Sequence, residues 1–299
     1  MRATLTAKCV FNAFFGFTAI TLNIVTILAL RKPLTIPNAV KTLLLSLAVS
    51  DLGVGLLVQP LYITRLVMLI KENTQTVTFE IIDNLYRTIG NFLIYASFLG
   101  VVALTADRFL AVHLHLRYQE LVTHKRVVAV VISIWIISAI LMLMIKWIPS
   151  NVAAIISVLV ESVCYLATAL CYFEIYLAVR HHSNQIHVLQ AQLIQNNEGD
   201  IANAARERKT AVGTFYVYLL FLICNLPAST CYWIIKISTG PSTRSLQFVF
   251  YTNTLMFLNS SLNPLIHSWK MRHVRHAIME ILTNILPYPK KKKKKGKKK

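Results

Sequence analysis

Seven stretches of this chain are long and apolar enough to cross a lipid bilayer, and this repetition restricts the possible fold more than any other feature. A helix needs about 20 residues to cross the hydrocarbon core. The stretches are rich in Leu, Ile, Val and Phe and lack the alternation typical of membrane β-strands, so we predict helices. They lie near Cys9–Leu30, Leu43–Leu69, Thr88–Val112, Val127–Ile148, Ala153–Val179, Thr210–Ile237 and Leu246–Ser268.

The composition excludes an ordinary soluble protein, since 56% of the residues are hydrophobic and only 14% are charged. We predict an all-α membrane protein, a bundle of seven transmembrane helices with a short amphipathic eighth helix. The predicted segments are a short extracellular N-terminus over residues 1–8, the transmembrane domain over 9–268, an amphipathic helix on the inner membrane face over 269–286, and a polybasic cytoplasmic tail over 287–299. In the amphipathic helix, Val274 and Ile278 are expected to face lipid.

The distribution of Lys and Arg favours an extracellular N-terminus, because the flanks that would then be cytoplasmic carry more of these residues. The first stretch follows Lys8, carries Asn23 in its middle and lacks a small-residue cleavage site. We therefore interpret it as a retained helix and not as a signal peptide. The predicted location is the plasma membrane, with multiple spans.

The tail carries two lysine runs, Lys290–Lys295 and Lys297–Lys299, within a formal net charge of +19. Beside a membrane each Lys attracts anionic lipid by about 1 kcal/mol. We predict contact with anionic lipid of the inner leaflet; the alternative is a low-complexity end without a selected role. Nucleic-acid binding is not expected, since no basic module with interleaved aromatics accompanies the runs.

Polar residues recur at particular depths in the hydrophobic stretches. Asp51 lies in the middle of the second stretch, where an unpartnered carboxylate costs at least a few kcal/mol. Asp107 and Arg108 end the third stretch, while Asn259 and Asn263 share one face of the seventh because they are four residues apart. Such residues inside a membrane indicate function.

Six motifs occur in order, one per stretch: Asn23, Leu45–Leu52 with Asp51, Asp107-Arg108-Phe109, Trp135, Cys224-Asn225-Leu226-Pro227 and Asn263-Pro264-Leu265-Ile266-His267. In these motifs the chain resembles the rhodopsin-like (class A) G-protein-coupled receptors over nearly its whole length. The resemblance implies a receptor that passes the binding of an extracellular ligand to a heterotrimeric G protein by outward movement of its sixth helix.

By this resemblance, the polar residues in the middle of the membrane form a sodium site that favours the resting state. The alternative is a water-filled packing cluster without an ion. No covalent cofactor is expected. The implied sodium ligands are Asp51, Ser97, Asn259, Ser260 and Asn263, supported by Asn23.

The resemblance also implies a cytoplasmic switch. Arg108 pairs with Asp107 and with Glu207 in the resting state, and turns toward Tyr172 and the G protein on activation. Leu116 inserts into a pocket of the G protein. A helix-terminal surface charge is the alternative for Glu207, and simple loop packing is the alternative for Leu116.

Two prolines are expected to kink their helices, Pro227 in the sixth and Pro264 in the seventh. Phe221 lies where the family packs its core transmission aromatic. Among the departures from the family pattern, Asn225 replaces a tryptophan and His267 replaces a tyrosine. His267 either makes activity depend on internal pH or binds water as the tyrosine would.

Several residues in the outer halves of the predicted helices bear on the kind of ligand. Gly90 stands where monoamine receptors place an aspartate, and Asp83 replaces the usual disulfide cysteine, as in melanocortin receptors. Adenosine receptors share the run from Tyr172 to Ala178. The candidate ligand-binding residues are Asp83, Gly90, Arg87, Glu161 and Asn225; the alternative is that the charged ones only solvate the loops.

Other classes of protein fit less well. No nucleophile–base or metal constellation suggests an enzyme. A transporter would more typically show an internal repeat or several acids along a pore. A closer alternative is a receptor-like ligand-binding protein that does not couple to G proteins, since some switch positions are altered.

Overall fold

The computed structural model describes residues 2–34, 36–114, 117–190, 212, 214–231, 243–270 and 272–285. Predictions for Leu116, Glu207 and the lysine runs of the tail lie outside these residues, as do those that concern the side chain of His267.

The described residues form eight long helices and no strand. A short helix, Tyr118–Leu121, lies between the third and the fourth. The helices are α1 (Arg2–Arg31), α2 (Asn38–Ile70), α3 (Val77–Leu114), α4 (His124–Trp147), α5 (Ser150–Gln190), α6 (Thr214–Cys231), α7 (Thr243–Lys270) and α8 (Arg272–Ile285).

Six of the described helices, α1 to α6, are long and apolar enough to cross a membrane. The prediction of an all-helical membrane protein is therefore confirmed. The remaining long helix, α7, has 28 residues and would be about 42 Å long at 1.5 Å per residue, but it is more polar. The count of seven spans and the role of α8 stay predictions.

Helix α1 begins at Arg2, so residues 2–8, predicted as an extracellular extension, are already helical. In the predicted orientation the end of the bundle where α1 begins is the outer end, and "outer" and "inner" are used in this sense. Helix α3 occupies the middle, where it packs against α2, α4 and α5, while α1 packs along α2 and α7.

Helix α2 contains a π-helical turn, Val54–Val58, that the sequence analysis did not predict. Gly55 of this turn lies against α1: a Cβ atom added to Gly55 would come within 3.0 Å of Ile20 Cγ1 and 3.2 Å of the Gly16 carbonyl oxygen. A π turn rotates the residues beyond it relative to those before it. It thus changes which side chains of the outer half of α2 face the interior.

The prediction that Val274 faces lipid is wrong. Val274 is completely buried in a core cluster with Leu30 and Leu104, and Ile278 packs against the same cluster. The apolar face of α8 is therefore covered by the bundle itself. An ion pair of 2.9 Å between Lys32 and Glu280 further fixes α8 near the inner end of α1.

Candidate functional site

A cavity of about 20 Å³ lies in the middle of the bundle, between α2, α3, α6 and α7. A water molecule needs about 10–15 Å³ measured in this way, so the cavity has room for one water or small ion. Its polar side is formed by Asp51, Ser97, Asn259 and Ser260, and Gly90, Phe221 and Asn225 also line it.

Asp51 is 1% exposed, and within the described part of the chain one of its two carboxylate oxygens is hydrogen-bonded. Asn263 of α7 donates from Nδ2 to Asp51 Oδ2 over 2.9 Å, which joins α2 to α7. Oδ1 of Asp51 is buried and has no partner among the described residues. An ionised carboxylate in such a position requires a compensating group.

Further buried oxygens near the cavity lack a partner within the described part of the chain: Ser97 Oγ, Asn23 Oδ1, Asn259 Oδ1 and Asn263 Oδ1. Asn23 is itself positioned by two hydrogen bonds of 2.9 Å, donated from Nδ2 to the carbonyls of Ala19 and Ser260. Unpaired oxygens beside one carboxylate match the preference of hard cations for oxygen ligands, and they also suit ordered water. Among the described residues no group of three or more His, Cys, Asp or Glu is arranged to hold a metal.

An aromatic layer lies beside the cavity. Phe221 of α6 is 3% exposed and stacks on Phe98 of α3, with ring centroids 5.7 Å apart. Asn225 donates from Nδ2 to the Phe221 carbonyl over 2.9 Å, so the amide that replaces a tryptophan is bound within its own helix. Pro227 and Pro264 lie inside α6 and α7, and both helices continue past them.

A second polar site lies at the inner end of α3, where Arg108 is 1% exposed and Asp107 is 6% exposed. Arg108 donates to Asp107 Oδ2 from Nη2 over 2.5 Å and from Nε over 3.0 Å. Tyr118 donates from its hydroxyl to Asp107 Oδ1 over 2.7 Å and accepts from Arg108 Nη2 over 3.3 Å. Burial, followed by the nearby Asp107 carboxylate, raises the pKa of Tyr118, so the hydroxyl keeps the proton that it donates.

Tyr118 was not predicted as a functional residue. It follows Arg108 by ten positions in a connecting segment, where no helical spacing links the two residues. The Asp107–Arg108 pair was predicted, and the structure shows the third member that completes it.

Tyr172 of α5 lies in the core cluster that also contains Val112 of α3 and Tyr218 of α6. Its ring stacks on Tyr218 at 5.1 Å and meets Phe215 edge-on at 5.3 Å. The Tyr172 hydroxyl is buried and makes no hydrogen bond within the part of the chain that the structure describes. It therefore remains able to bind a group that approaches from α3 or α6.

The candidate ligand residues occupy three separate places in the outer half. Gly90 and Asn225 line the cavity. Asp83 accepts hydrogen bonds from Arg65 Nε over 2.5 Å and from Arg87 Nε over 2.7 Å, so it is not a free acid. Glu161 of α5 accepts from Ser229 Oγ of α6 over 2.8 Å and lies outside the cavity lining. Arg65 and Ser229 were not predicted.

The structure thus defines a class: a helical membrane protein with a polar cavity at mid-depth and a buried arginine at one end of its central helix. Comparison with known proteins extends this result. A profile of the 7 transmembrane receptor (rhodopsin family) matches residues 22–154. The adenosine receptor A2b of Gallus gallus is 25% identical, over 96% of this chain and 91% of the relative. The melanocortin receptor 3 of Rattus norvegicus is 22% identical, over 89% of this chain and 82% of the relative.

Over residues 22–154 the chain is thus similar to the rhodopsin family of 7 transmembrane receptors, and over most of its length it is similar to adenosine and melanocortin receptors. Its identity to the adenosine and melanocortin receptors named above is 22–25%.

Proposed function

We propose that this receptor lies in the plasma membrane with its N-terminus outside, crosses the membrane seven times with α7 as its last span, and activates a heterotrimeric G protein when it binds an extracellular ligand. The observation that carries this proposal is the buried cluster of Asp107, Arg108 and Tyr118 at the inner end of α3. A guanidinium buried to 1% exposure is costly unless it is paired, so it is typical of an element with two alternative arrangements.

The contacts of α6 support its movement as the second part of the switch. Near its inner end α6 meets α5 mainly through rings, since Tyr218 and Phe215 both pack on Tyr172. Ring contacts can slide at lower cost than charged hydrogen bonds can break. When α6 moves outward, Arg108 leaves Asp107 and turns toward the unpaired hydroxyl of Tyr172.

A sodium ion in the central cavity would favour the resting arrangement. Asp51, Ser97, Asn259 and Asn263 supply oxygens that have no hydrogen-bond partner among the described residues, and Ser260 lines the same cavity. The ion would supply the positive charge that Asp51 lacks. Because the ligands come from α2, α3 and α7, closure around the ion holds these three helices together.

On the cytoplasmic side, α8 lies against the bundle, and the lysine runs after it would bind anionic lipid of the inner leaflet. The lysines carry positive charge to the face where a G protein would dock, and the anionic lipid partly neutralises this charge. The contact between the lysine runs and lipid is expected to influence how the receptor is oriented at the membrane, and not the switch at Arg108.

Basal guanine-nucleotide exchange tests the proposal. Membranes that contain the parent chain are mixed with a panel of purified G proteins and compared with membranes that contain Arg108→Ala. Arg117→Ala, an exposed arginine near the same end, is the matched control. We expect exchange with one class of G protein that is lost in Arg108→Ala and retained in Arg117→Ala.

Absence of exchange with every G protein, while the protein is folded and at the cell surface, would favour a receptor-like protein that binds ligand without coupling. Equal exchange by the parent and by Arg108→Ala would contradict the role of Arg108.

A further inference from the structure

The outer ends of α2 and α3 carry an ion cluster with excess positive charge. Asp83 binds two arginines, Arg65 from α2 and Arg87 one turn further along α3. Two guanidinium groups and one carboxylate leave one net positive charge. The side chains of Arg65, Asp83 and Arg87 are 16%, 22% and 60% exposed, so the cluster is open on one side.

The way in which Asp83 holds the arginines leaves their donors available. Both hydrogen bonds come from Nε, one to each carboxylate oxygen. The terminal Nη groups of both guanidiniums make no hydrogen bond to another described residue. The two Nη groups of an arginine form a fork that matches the two oxygens of a carboxylate or a phosphate.

The cluster lies on the outer side of the central cavity along α2 and α3. On α2, Arg65 is followed inward at helical spacing by Tyr62 and then by Val58, which lines the cavity. On α3, Asp83 is followed in the same way by Tyr86 and then by Gly90, another lining residue.

The rings of Tyr62 and Tyr86 lie 5.4 Å apart, and the guanidinium carbon of Arg65 lies 5.8 Å from the Tyr86 centroid. The cationic rim, a buried aromatic layer and the cavity therefore follow one another along α2 and α3.

We infer that Arg65 and Arg87 bind the carboxylate or phosphate group of the extracellular ligand, and that Tyr62 and Tyr86 lie beneath an apolar or aromatic part of it. The inference rests on the proposed receptor function in that it names the chemistry of the ligand. Asp83 neutralises one of the two guanidinium charges and is not itself a ligand-binding residue. This differs from the expectation that Asp83 itself binds ligand, because both of its oxygens are occupied and the net charge beside it repels cations.

A second ion pair at the outer end provides a matched control. Arg2 and Glu72 pair at 2.6 Å, with side chains 71% and 76% exposed. This pair is neutral overall and is part of neither the aromatic layer nor the cavity lining. It therefore has the same chemistry without the features that favour anion binding.

The test is a thermal melt of the purified full-length protein, without G protein, in increasing sodium benzoate or sodium phosphate. Sodium chloride keeps the sodium concentration and ionic strength constant. The variants are Arg65→Gln, Arg87→Gln, Asp83→Asn and the control Arg2→Gln. Both probes are soluble and the protein is in detergent, so a shift that depends on them does not come from a lipid headgroup.

We expect benzoate or phosphate to raise the melting temperature of the parent. The half-saturating concentration should rise at least tenfold in Arg65→Gln and Arg87→Gln and stay unchanged in Arg2→Gln. In Asp83→Asn it should fall, because removal of the carboxylate increases the positive charge. If Arg65→Gln does not fold, Arg87→Gln is informative alone, since its side chain is exposed and the Arg65–Asp83 pair remains.

Three results would overturn the inference. The first is a melting temperature of the parent that benzoate and phosphate raise no more than chloride does. The second is binding that persists unchanged in both Arg65→Gln and Arg87→Gln. The third is binding that is lost in Asp83→Asn as well as in the two arginine variants. The last result would show that the cluster only ties α2 to α3. Because no G protein is present, failure here is distinguishable from failure of coupling in the exchange assay.

Discussion

The Tyr118 hydroxyl donates a 2.7 Å hydrogen bond to Asp107 Oδ1, while Arg108 occupies the other oxygen of the same carboxylate. A residue between α3 and α4 therefore takes part in holding Arg108 at the inner end of α3. Movement of this connection changes the hydrogen bonding of Asp107, and with it the freedom of Arg108.

Tyr118→Phe should raise basal nucleotide exchange. Loss of a hydrogen bond worth about 1 kcal/mol shifts a two-state equilibrium about fivefold, here toward the arrangement with Arg108 released. Exchange with the responsive G protein measures the effect. Tyr176→Phe, at an exposed tyrosine of α5, should leave exchange unchanged. Unchanged or lower exchange in Tyr118→Phe would show that the hydroxyl does not restrain the switch.

Sodium should stabilise the parent protein, and Asp51→Asn should abolish this effect. At ten times its dissociation constant a ligand stabilises the folded state by about 1.4 kcal/mol. The measurement compares melting temperatures in sodium chloride and in choline chloride at equal ionic strength. Glu72→Gln, at an exposed acid, should keep the sodium effect. Equal melting in both salts for the parent would leave the cavity as a hydrated cluster without an ion.

Lys8→Met should stabilise the protein. The Lys8 ammonium is buried in the interface of α1 and α7, has no hydrogen-bond partner among the described residues, and lies over the rings of Tyr251 at 3.8 Å and Phe250 at 5.0 Å. A buried charge without a charged partner costs free energy that an apolar side chain of similar size does not, so we expect stabilisation.

A higher melting temperature of Lys8→Met than of the parent checks this prediction, with Lys71→Met at an exposed lysine as control. A lower melting temperature of Lys8→Met would mean that the Lys8 ammonium makes a favourable interaction that the methionine side chain cannot make.

Gly55→Ala should destabilise the protein, because the added Cβ would lie 3.0 Å from Ile20 Cγ1 and 3.2 Å from the Gly16 carbonyl oxygen. Overpacking of this kind costs about 1–3 kcal/mol. Gly100→Ala is the matched control: its Cβ would meet Leu47 Cδ1 at 3.9 Å, an ordinary contact, so the gain in helix propensity should dominate. Similar melting of both variants would show that α1 and α2 can separate at Gly55 without cost.

The sequence predicted the helices well because a span of apolar residues has few alternatives in a membrane. It also predicted Asp51 and Asn263 as neighbours, and these residues are hydrogen-bonded although they are 212 positions apart. A buried carboxylate in a membrane needs partners, and the resemblance indicated which ones.

Other features depend on which face of a helix is turned inward and on where the helix begins. The hydrophobic periodicity of the sequence does not determine either of these to within a residue. The π turn at Val54–Val58 changes the face that the outer half of α2 presents, and this face carries Arg65. Arg65 could therefore not be paired with Asp83 from the sequence. Likewise Lys8 was placed before the first span, whereas the helix already includes it and buries it.

The central claim is that α6 moves away from α3 when Arg108 is released to the G protein. Spin labels at Lys125→Cys on α4 and Val212→Cys before α6 report this movement, with the partly exposed Cys9, Cys164 and Cys171 replaced by serine. The distance between the labels is measured with and without a nucleotide-free G protein. This is the G protein that shows the most nucleotide exchange with the parent receptor. We predict a longer distance with the G protein in the parent and little change in Arg108→Ala. The same distance in the parent with and without G protein would contradict the account.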